Sequence, residues 1–162
     1  SPAGPPRRVR PVSRRPRLLA VASGGGHWVQ LLRLRPAFAD ARVTYVTVRR
    51  SYASDVPGED LRVVPDATRW NKFKLLLMAA KILWIVLAVR PDVVISTGAA
   101  PGYFAIRFGR LVGARTCWID SIANAEELSL SGRKIRRHAT KVLSQWPDVA
   151  EAEGVEHAGS VL

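Results

Sequence analysis

The sequence predicts an α/β fold, an open and mostly parallel sheet with helices on both faces. Apolar and β-branched runs of strand length alternate with helical segments along most of the 162 residues. Two of these runs end in loops of small residues that open a helix, as in βαβ units. The length is that of one domain, and the 48% apolar content is enough for a hydrophobic core.

The strands are predicted from short runs of apolar or β-branched residues. The run Leu-Leu-Ala-Val-Ala enters a glycine turn, and the run Val-Thr-Tyr-Val-Thr-Val is rich in β-branched side chains. A third run, Asp-Val-Val-Ile-Ser, stops at a Thr-Gly pair. The predicted strands cover residues 18–22, 43–48, 61–64, 92–96, 115–119 and 141–145.

The helices are predicted from apolar spacing and from end signals. Val29, Leu31 and Leu34 give the segment after the first strand a helical pattern. Pro101 stands at the start of another segment, where its missing N–H costs no hydrogen bond. The predicted helices cover residues 27–38, 70–89, 101–111, 133–139 and 147–153.

The charge balance indicates an anionic partner. The formal net charge is +12, and eight of the basic residues precede the first acid, Asp40. Nucleic acid, an acidic lipid surface and a phosphorylated substrate all fit such a balance. Cys117 is the one cysteine, which excludes an internal disulfide framework and a cysteine-rich metal site. Because the three histidines are scattered, neither a metal nor a cofactor is expected.

Residues 1–16 are predicted to form a disordered basic arm rich in proline and arginine. Five prolines and an arginine cluster leave this segment too little apolar surface to order itself. It is either a solubilising tail or an electrostatic tether, since each Lys or Arg near an anionic membrane contributes about 1 kcal/mol. The folded domain is then expected to cover residues 17–162.

Two loops of small residues predict a ligand crevice at the carboxyl edge of the sheet. The first contains Gly24, Gly25 and Gly26, and the second spans residues 96–102. The first is not a dinucleotide fingerprint, because Val29 stands where the third glycine would be, and no P-loop Gly-Lys-Ser/Thr follows. Two such loops at one edge favour a crevice there, although glycines also serve strand–helix packing alone.

His27 stands where the first helix begins. Histidine has an unperturbed pKa of about 6.5, so it is suited to take a proton from an attacking sugar hydroxyl. A histidine at this position also has simpler uses, as a helix cap or as a phosphate ligand. The residues by themselves leave these alternatives open.

The long helix predicted at 70–89 is apolar nearly all round, which places it in a core or against lipid. Its apolar stretch, residues 75–89, has fifteen residues with the single charge Lys81, and it is too short to cross a bilayer, which takes about 20 apolar residues. One stripe resembles a membrane-interfacial surface, with Leu76, Leu83 and Leu87 on the opposite side. The predicted membrane contacts are Trp70, Phe73, Lys74, Leu77, Lys81 and Trp84. The alternative is a crossover helix with ordinary surface lysines.

Several sequence blocks together resemble a known family. Ser-Gly-Gly-Gly-His at 23–27, followed by Gln30, is similar to the N-terminal signature of the oligosaccharide-biosynthesis family. Its members form the membrane-associated subunit of a split N-acetylglucosaminyltransferase. The blocks Ile-Asp-Ser at 119–121, Leu-Ser-Leu-Ser-Gly at 128–132 and Gln-Trp-Pro at 145–147 match that family's second half. The family is related to the N-terminal domain of the GT-B enzyme that glycosylates the undecaprenyl-linked peptidoglycan precursor.

The resemblance implies a Rossmann-like domain that is the N-terminal, acceptor-side half of a GT-B glycosyltransferase. A separately encoded UDP-sugar-binding catalytic subunit is then expected to complete the cleft. The acceptor is expected to be a lipid-linked saccharide, and the donor UDP-GlcNAc or a related UDP-sugar. The protein is expected to be peripheral, at the cytoplasmic face of an anionic membrane. The expected reaction is an inverting sugar transfer, and nucleic acid is not an expected partner.

The resemblance also implies roles for individual residues. The loop of Gly24, Gly25 and Gly26 is expected to face the acceptor diphosphate or the reacting sugars. His27 matches a histidine of the related single-chain enzymes. Two carboxylates are base or orienting candidates: Asp120, which replaces a glutamate of many relatives, and Glu126. The second loop matches in type only, and its substrate-binding candidates are Gly98, Ala99 and Pro101.

Three other functions remain open from the sequence. The chain could be a non-catalytic scaffold that anchors the catalytic subunit. It could be an NADP-dependent oxidoreductase, because Arg49 and Arg50 follow the second strand, where a 2′-phosphate is held in such enzymes. The charge alone would also fit nucleic-acid binding, but the sequence contains no recognised nucleic-acid module.

Overall fold

A computed structural model describes residues 14–68 and 70–160 of the chain. They form a six-stranded, wholly parallel sheet with the strand order β3-β2-β1-β4-β5-β6. The strands are β1 (Arg17–Val21), β2 (Arg42–Thr47), β3 (Asp60–Val63), β4 (Val93–Ser96), β5 (Arg115–Ile119) and β6 (Lys141–Leu143). Most of the predicted arm, residues 1–13, lies outside the described residues, so the arm stays a prediction.

The connections between the strands are helical. The α-helices are α1 (Gly26–Arg33), α2 (Lys72–Val89), α3 (Ala99–Leu111), α4 (Leu130–Ile135) and α5 (Pro147–Glu153). Short 3₁₀ helices cover Arg35–Phe38 and Arg50–Asp55. The 3₁₀ helix Arg50–Asp55, which lies between β2 and β3, was not predicted. Strand β5 and helix α5 have the predicted bounds.

Both faces of the sheet are covered, which confirms the predicted fold class. Alternate residues of β1 point to opposite faces, as a strand requires. Leu19 and Val21 belong to a core cluster that packs α2, α3 and α4 against one face. Leu18 and Ala20 belong to a second cluster that packs α1 against the other.

Four of the five predicted helices have different bounds. Helix α2 begins two residues later than predicted and α3 two residues earlier, and the larger differences of the other two have local causes. The helix predicted at 27–38 ends as an α-helix at Arg33, because Pro36 lacks the N–H that the next turn would need; it sits in the first turn of the 3₁₀ segment instead. The helix predicted at 133–139 ends four residues earlier, at Ile135, and begins three residues earlier, at Leu130. There the Ser129 side chain accepts the Gly132 N–H at 2.9 Å and caps the helix.

The long helix α2 divides into a buried and an exposed side. Its buried residues are Met78, Ile82, Ile85 and Val86. The exposed side is wider than predicted, because Leu76, Leu83 and Leu87 lie on it instead of opposite it. Trp70 precedes the helix, whose N-cap is Asn71. The large apolar residues exposed here are Trp70, Phe73, Leu76, Leu77, Leu83, Trp84 and Leu87.

Candidate functional site

A crevice of about 270 Å³ lies at the carboxyl edge of the sheet. Three loops build it, those that follow β1, β4 and β5. It lies at the switch point of the sheet between β1 and β4, because the strand order runs outward from β1 to β3 on one side and from β4 to β6 on the other. This is the usual ligand position in open α/β sheets. The crevice is lined by His27, Gly98, Ala99, Asp120, Ser121, Ala123, Asn124, Ser129, Leu130 and Ser131.

His27 lies in the first turn of α1 and is tied to the second loop by two hydrogen bonds. Its ring Nδ1 lies 3.0 Å from the carbonyl oxygen of Thr97. In return, the Thr97 hydroxyl donates to the His27 carbonyl at 2.6 Å. These two contacts join the loop after β1 to the loop after β4.

The backbone of the second loop is unusual at two successive residues. Gly98 has φ +135°, and Ala99 has φ +68° although it carries a side chain. An L-residue adopts such a φ at a cost, and strain of this kind concentrates at functional sites. Pro101, the third candidate of this loop, is buried in α3 and does not line the crevice.

The first glycine loop stands beside the crevice and is open at Gly25 and Gly26. Gly25 has φ +66°, and its N–H donates to the Tyr52 hydroxyl at 3.0 Å. No heavy atom lies within 4 Å of where a Cβ on Gly25 or Gly26 would be. Tyr52 stacks on Trp28 at a centroid distance of 5.0 Å. The sequence did not indicate Tyr52, because the 3₁₀ segment that carries it has no helical pattern.

Asp120 is 2% exposed and accepts four hydrogen bonds. The donors to Oδ1 are Trp118 Nε1–H at 3.0 Å and the Ser129 hydroxyl at 2.6 Å. The donors to Oδ2 are Asn124 Nδ2–H at 3.0 Å and the Ser129 N–H at 2.9 Å. With both oxygens engaged, the carboxylate fastens the loop after β5 to the start of α4. These contacts favour the orienting role over the base role.

Glu126 is exposed in the loop after β5 and does not line the crevice. Of the three candidate catalytic residues, His27 and Asp120 therefore share the crevice, and Glu126 is on its outside. Burial raises the pKa of the Cys117 thiol, in β5, to about 11, which disfavours the reactive thiolate form.

A buried amide network connects sequence blocks that are far apart in the chain. Gln30 of α1 donates to the Ser121 hydroxyl at 3.1 Å and accepts the Ile122 N–H at 3.1 Å. Gln145 donates to the Gln30 side-chain oxygen at 2.6 Å and to the Asp120 carbonyl at 2.9 Å. Helix α1 and the segments that follow β5 and β6 are thus fixed to one another.

The exposed side of α2 is a large apolar surface. Trp70 is 81% exposed, Phe73 77% and Trp84 64%. Lys74 and Lys81 are also exposed along one border of this side. The neighbouring helix α3 carries exposed arginine and leucine side chains, namely Arg107, Arg110 and Leu111. Across residues 14–68 and 70–160, no helix combines the length and apolarity that a bilayer span requires.

Comparison with solved structures identifies the fold. The chain has the Rossmann-like α/β fold of one half of GT-B glycosyltransferases and related epimerases. MurG from Acinetobacter baumannii matches with a TM-score of 0.71 at 15% identity, over 90% of this chain and 45% of MurG. UDP-N-acetylglucosamine 2-epimerase from Rickettsia bellii matches with a TM-score of 0.69 at 12% identity, over 91% and 45%. The chain thus spans about half of each solved structure.

Sequence comparison gives a narrower result. The chain is similar to the UDP-N-acetylglucosamine transferase subunit ALG14 of several fungi. The Eremothecium gossypii subunit is 27% identical over 91% of this chain and 76% of its own length. That of Yarrowia lipolytica is 24% identical over 88% and 79%. A shorter match to the Cryptococcus neoformans subunit is 43% identical over 57 residues, 25% of that subunit. No family model matches the chain.

These comparisons confirm the resemblance that the sequence blocks indicated. The chain is related to a subunit of a UDP-N-acetylglucosamine transferase and has the fold of a GT-B half. The matches to the fungal subunits of Eremothecium and Yarrowia extend over nearly the whole chain, whereas the solved structures share the fold alone at 12 to 15% identity.

Proposed function

We propose that this chain is the acceptor-binding, membrane-associated subunit of a two-component, inverting glycosyltransferase. The donor is a UDP-sugar, UDP-GlcNAc or a close relative, and the acceptor is a lipid-linked saccharide. The observation that carries the proposal is the crevice at the carboxyl edge of a GT-B half, with His27 held at its wall. GT-B enzymes react in the cleft between two such halves.

The partner in this proposal is a separately encoded subunit that binds the UDP-sugar and completes the cleft. Its support is that the fungal relatives are themselves named as subunits of a UDP-N-acetylglucosamine transferase. The similarity to the solved enzymes also covers 45% of each of those chains. The carboxyl edge would then face the partner, with the acceptor between them.

His27 is the proposed base. Its Nε2 takes the proton of the acceptor hydroxyl as that oxygen forms a bond to the anomeric carbon of the donor sugar. The bond from the anomeric carbon to the UDP oxygen breaks, and UDP leaves with the electron pair. Attack from the face opposite UDP inverts the anomeric centre. Asp120 orients the loop after β5, which forms the far wall of the crevice. Glu126 remains a second candidate base, which closure of the cleft against the partner would have to bring to the acceptor.

The acceptor diphosphate is proposed to lie against the two loops of small residues. Helices α1 and α3 begin at these loops, and neither has a side-chain hydrogen bond at its N-cap. Backbone N–H groups at a helix N-terminus favour an anion, as the helix dipole does. The substrate-binding candidates in this arrangement are Gly24, Gly25, Gly26, Gly98 and Ala99, with Pro101 shaping the first turn of α3.

The exposed side of α2 is the proposed membrane contact. Its aromatic residues Trp70, Phe73 and Trp84 suit the headgroup level of a bilayer, and Lys74 and Lys81 suit lipid phosphates. In this proposal the chain binds to the cytoplasmic face of an anionic membrane. The basic residues of α3 and of the N-terminal arm act in the same direction.

The reaction is tested with the complex purified from its native source. We expect His27→Ala to lower the transfer of GlcNAc from UDP-GlcNAc to a polyprenyl-diphosphate-linked acceptor by about 100-fold or more, the usual contribution of a general base. Assembly of the complex and vesicle binding should be unaffected. Unchanged turnover in an intact complex would instead identify a non-catalytic scaffold.

The membrane contact is tested by flotation with vesicles of phosphatidylcholine and phosphatidylglycerol. We expect the double variant Phe73→Glu and Trp84→Glu to lose vesicle binding while it stays folded, because both side chains are mostly exposed. Val29→Glu is the matched control, an exposed apolar residue on α1 at the other face of the sheet. Equal loss in the control, or none in the double variant, would contradict the proposed surface.

A further inference from the structure

Thr97 is a buried residue that bridges the two loops of the crevice. It is fully inaccessible to solvent and lies directly after β4. Its hydroxyl donates to the His27 carbonyl at 2.6 Å, and its own carbonyl faces His27 Nδ1 at 3.0 Å. Backbone and ring of His27 are thereby held by the same residue.

The second contact determines which ring nitrogen carries the proton. A carbonyl oxygen accepts hydrogen bonds and cannot donate, so Nδ1 must be the protonated nitrogen of this pair. A neutral imidazole has a single N–H, which leaves Nε2 with its lone pair as the proton acceptor. A general base requires this state before the reaction begins.

Gly98 provides the space in which the His27 ring lies. A Cβ at Gly98 would come within 2.6 Å of His27 Nδ1 and 2.7 Å of Cε1. The Gly98 N–H is itself fixed, because it donates to the buried Ser96 hydroxyl at 3.1 Å. The ring therefore rests on a backbone surface that any side chain would occupy.

We propose that Thr97 and Gly98 are positioning residues that hold His27 in the Nδ1–H tautomer, with Nε2 as the accepting nitrogen. The use of Nε2 as the base rests on the proposed function. The tautomer itself is a property of this chain and can be measured without partner, donor or acceptor.

The test is long-range ¹H–¹⁵N NMR on the histidine-labelled chain at about pH 8, where unperturbed histidine is neutral. His27→Gln assigns the His27 signals among the three histidines. We expect His27 in the Nδ1–H form in the wild-type chain. His157 is an internal reference, because its Nδ1 also faces a carbonyl, that of Ser144 at 3.0 Å.

Three variants examine the positioning. Gly98→Ala should displace the ring and abolish the tautomer preference of His27, without changing His157. Thr97→Val should weaken the preference, because it removes the hydroxyl that holds the His27 backbone, and Thr97→Ser should restore it. Gly113→Ala is the control for backbone strain, since Gly113 has φ +84° but no heavy atom within 4 Å of its Cβ position.

Two results would overturn the inference: a wild-type His27 in the Nε2–H form, or a folded Gly98→Ala chain with the tautomer unchanged. In the native complex, Gly98→Ala and Thr97→Val should lower kcat by about tenfold or more, since small misplacements of a catalytic group are costly, with a smaller effect on KM. If His27→Ala leaves turnover unchanged while the tautomer behaves as expected, the proposed function fails and the positioning stands.

Discussion

The two loops of small residues look alike in the sequence but differ in what surrounds their glycines. In the second loop, a Cβ on Gly102 would overlap the Ser96 hydroxyl oxygen and lie 3.3 Å from the Trp118 ring. A Cβ on Gly98 would collide with the His27 ring. In the first loop, a Cβ on Gly24 would lie 3.3 Å from the Tyr52 hydroxyl, whereas the Cβ positions of Gly25 and Gly26 meet no heavy atom within 4 Å.

The comparison separates two reasons for a glycine at the carboxyl edge of a parallel sheet. Packing requires the glycines of the second loop, because α3 lies close against β4 at Gly102 and the His27 ring lies against the backbone at Gly98. In the first loop, packing does not explain Gly26, whose Cβ would project into open space. An open backbone at a helix N-terminus is what a phosphate ligand would use, so the first loop is the better candidate for direct ligand contact.

The largest expected effect is that of Gly102→Ala. Its new methyl group would have to displace buried Ser96, which also accepts the Gly98 N–H. We expect the free energy of unfolding to fall by about 2–3 kcal/mol, in the range of overpacked cores. Urea denaturation measures it. A change below about 0.5 kcal/mol would mean that the second loop is less tightly packed than the structure indicates.

The sequence predicted the strands well because each is a short apolar run between turn signals. The parallel order brings the ends of β1, β4 and β5 to one edge, where the two small-residue loops were predicted to form a crevice, and the candidates His27 and Asp120 both line it. The helix bounds were less predictable. A single hydrogen bond from the Ser129 side chain moved the start of α4, and such a cap does not alter apolar spacing.

Two parts of the site could not be predicted because they depend on tertiary contacts. Gln30 and Gln145 meet across 115 positions of the chain, and no local pattern reveals that pairing. Helix α2 is apolar on both sides, and the stripe that was predicted to face outward is exposed, but the sequence could not indicate how far the exposed side would extend. The position of α3 beside it decided this, and left Leu76, Leu83 and Leu87 exposed.

An intermediate effect is expected for Gly25→Ala in the first loop. Gly25 has φ +66°, where a side chain costs about 1–2 kcal/mol even without a steric neighbour. Gly25→Asn should cost less, because asparagine tolerates this conformation. Thermal or urea unfolding of both variants measures the difference. If the two variants are equally destabilised, the cost arises from lost contacts and not from the backbone conformation.

The smallest effect on stability, and the sharpest test of the comparison, is that of Gly26→Ala. Gly26 begins α1 with an ordinary φ, so alanine should leave stability unchanged or raise it by about 0.5 kcal/mol. If a diphosphate approaches this backbone, the same methyl group should raise the KM for the lipid-linked acceptor in the native complex. Gly113→Ala, remote from the crevice, should leave KM unchanged. A folded Gly26→Ala complex with wild-type KM would mean that the open space at the first loop is not occupied by the acceptor, and the two loops would then differ only in how they pack.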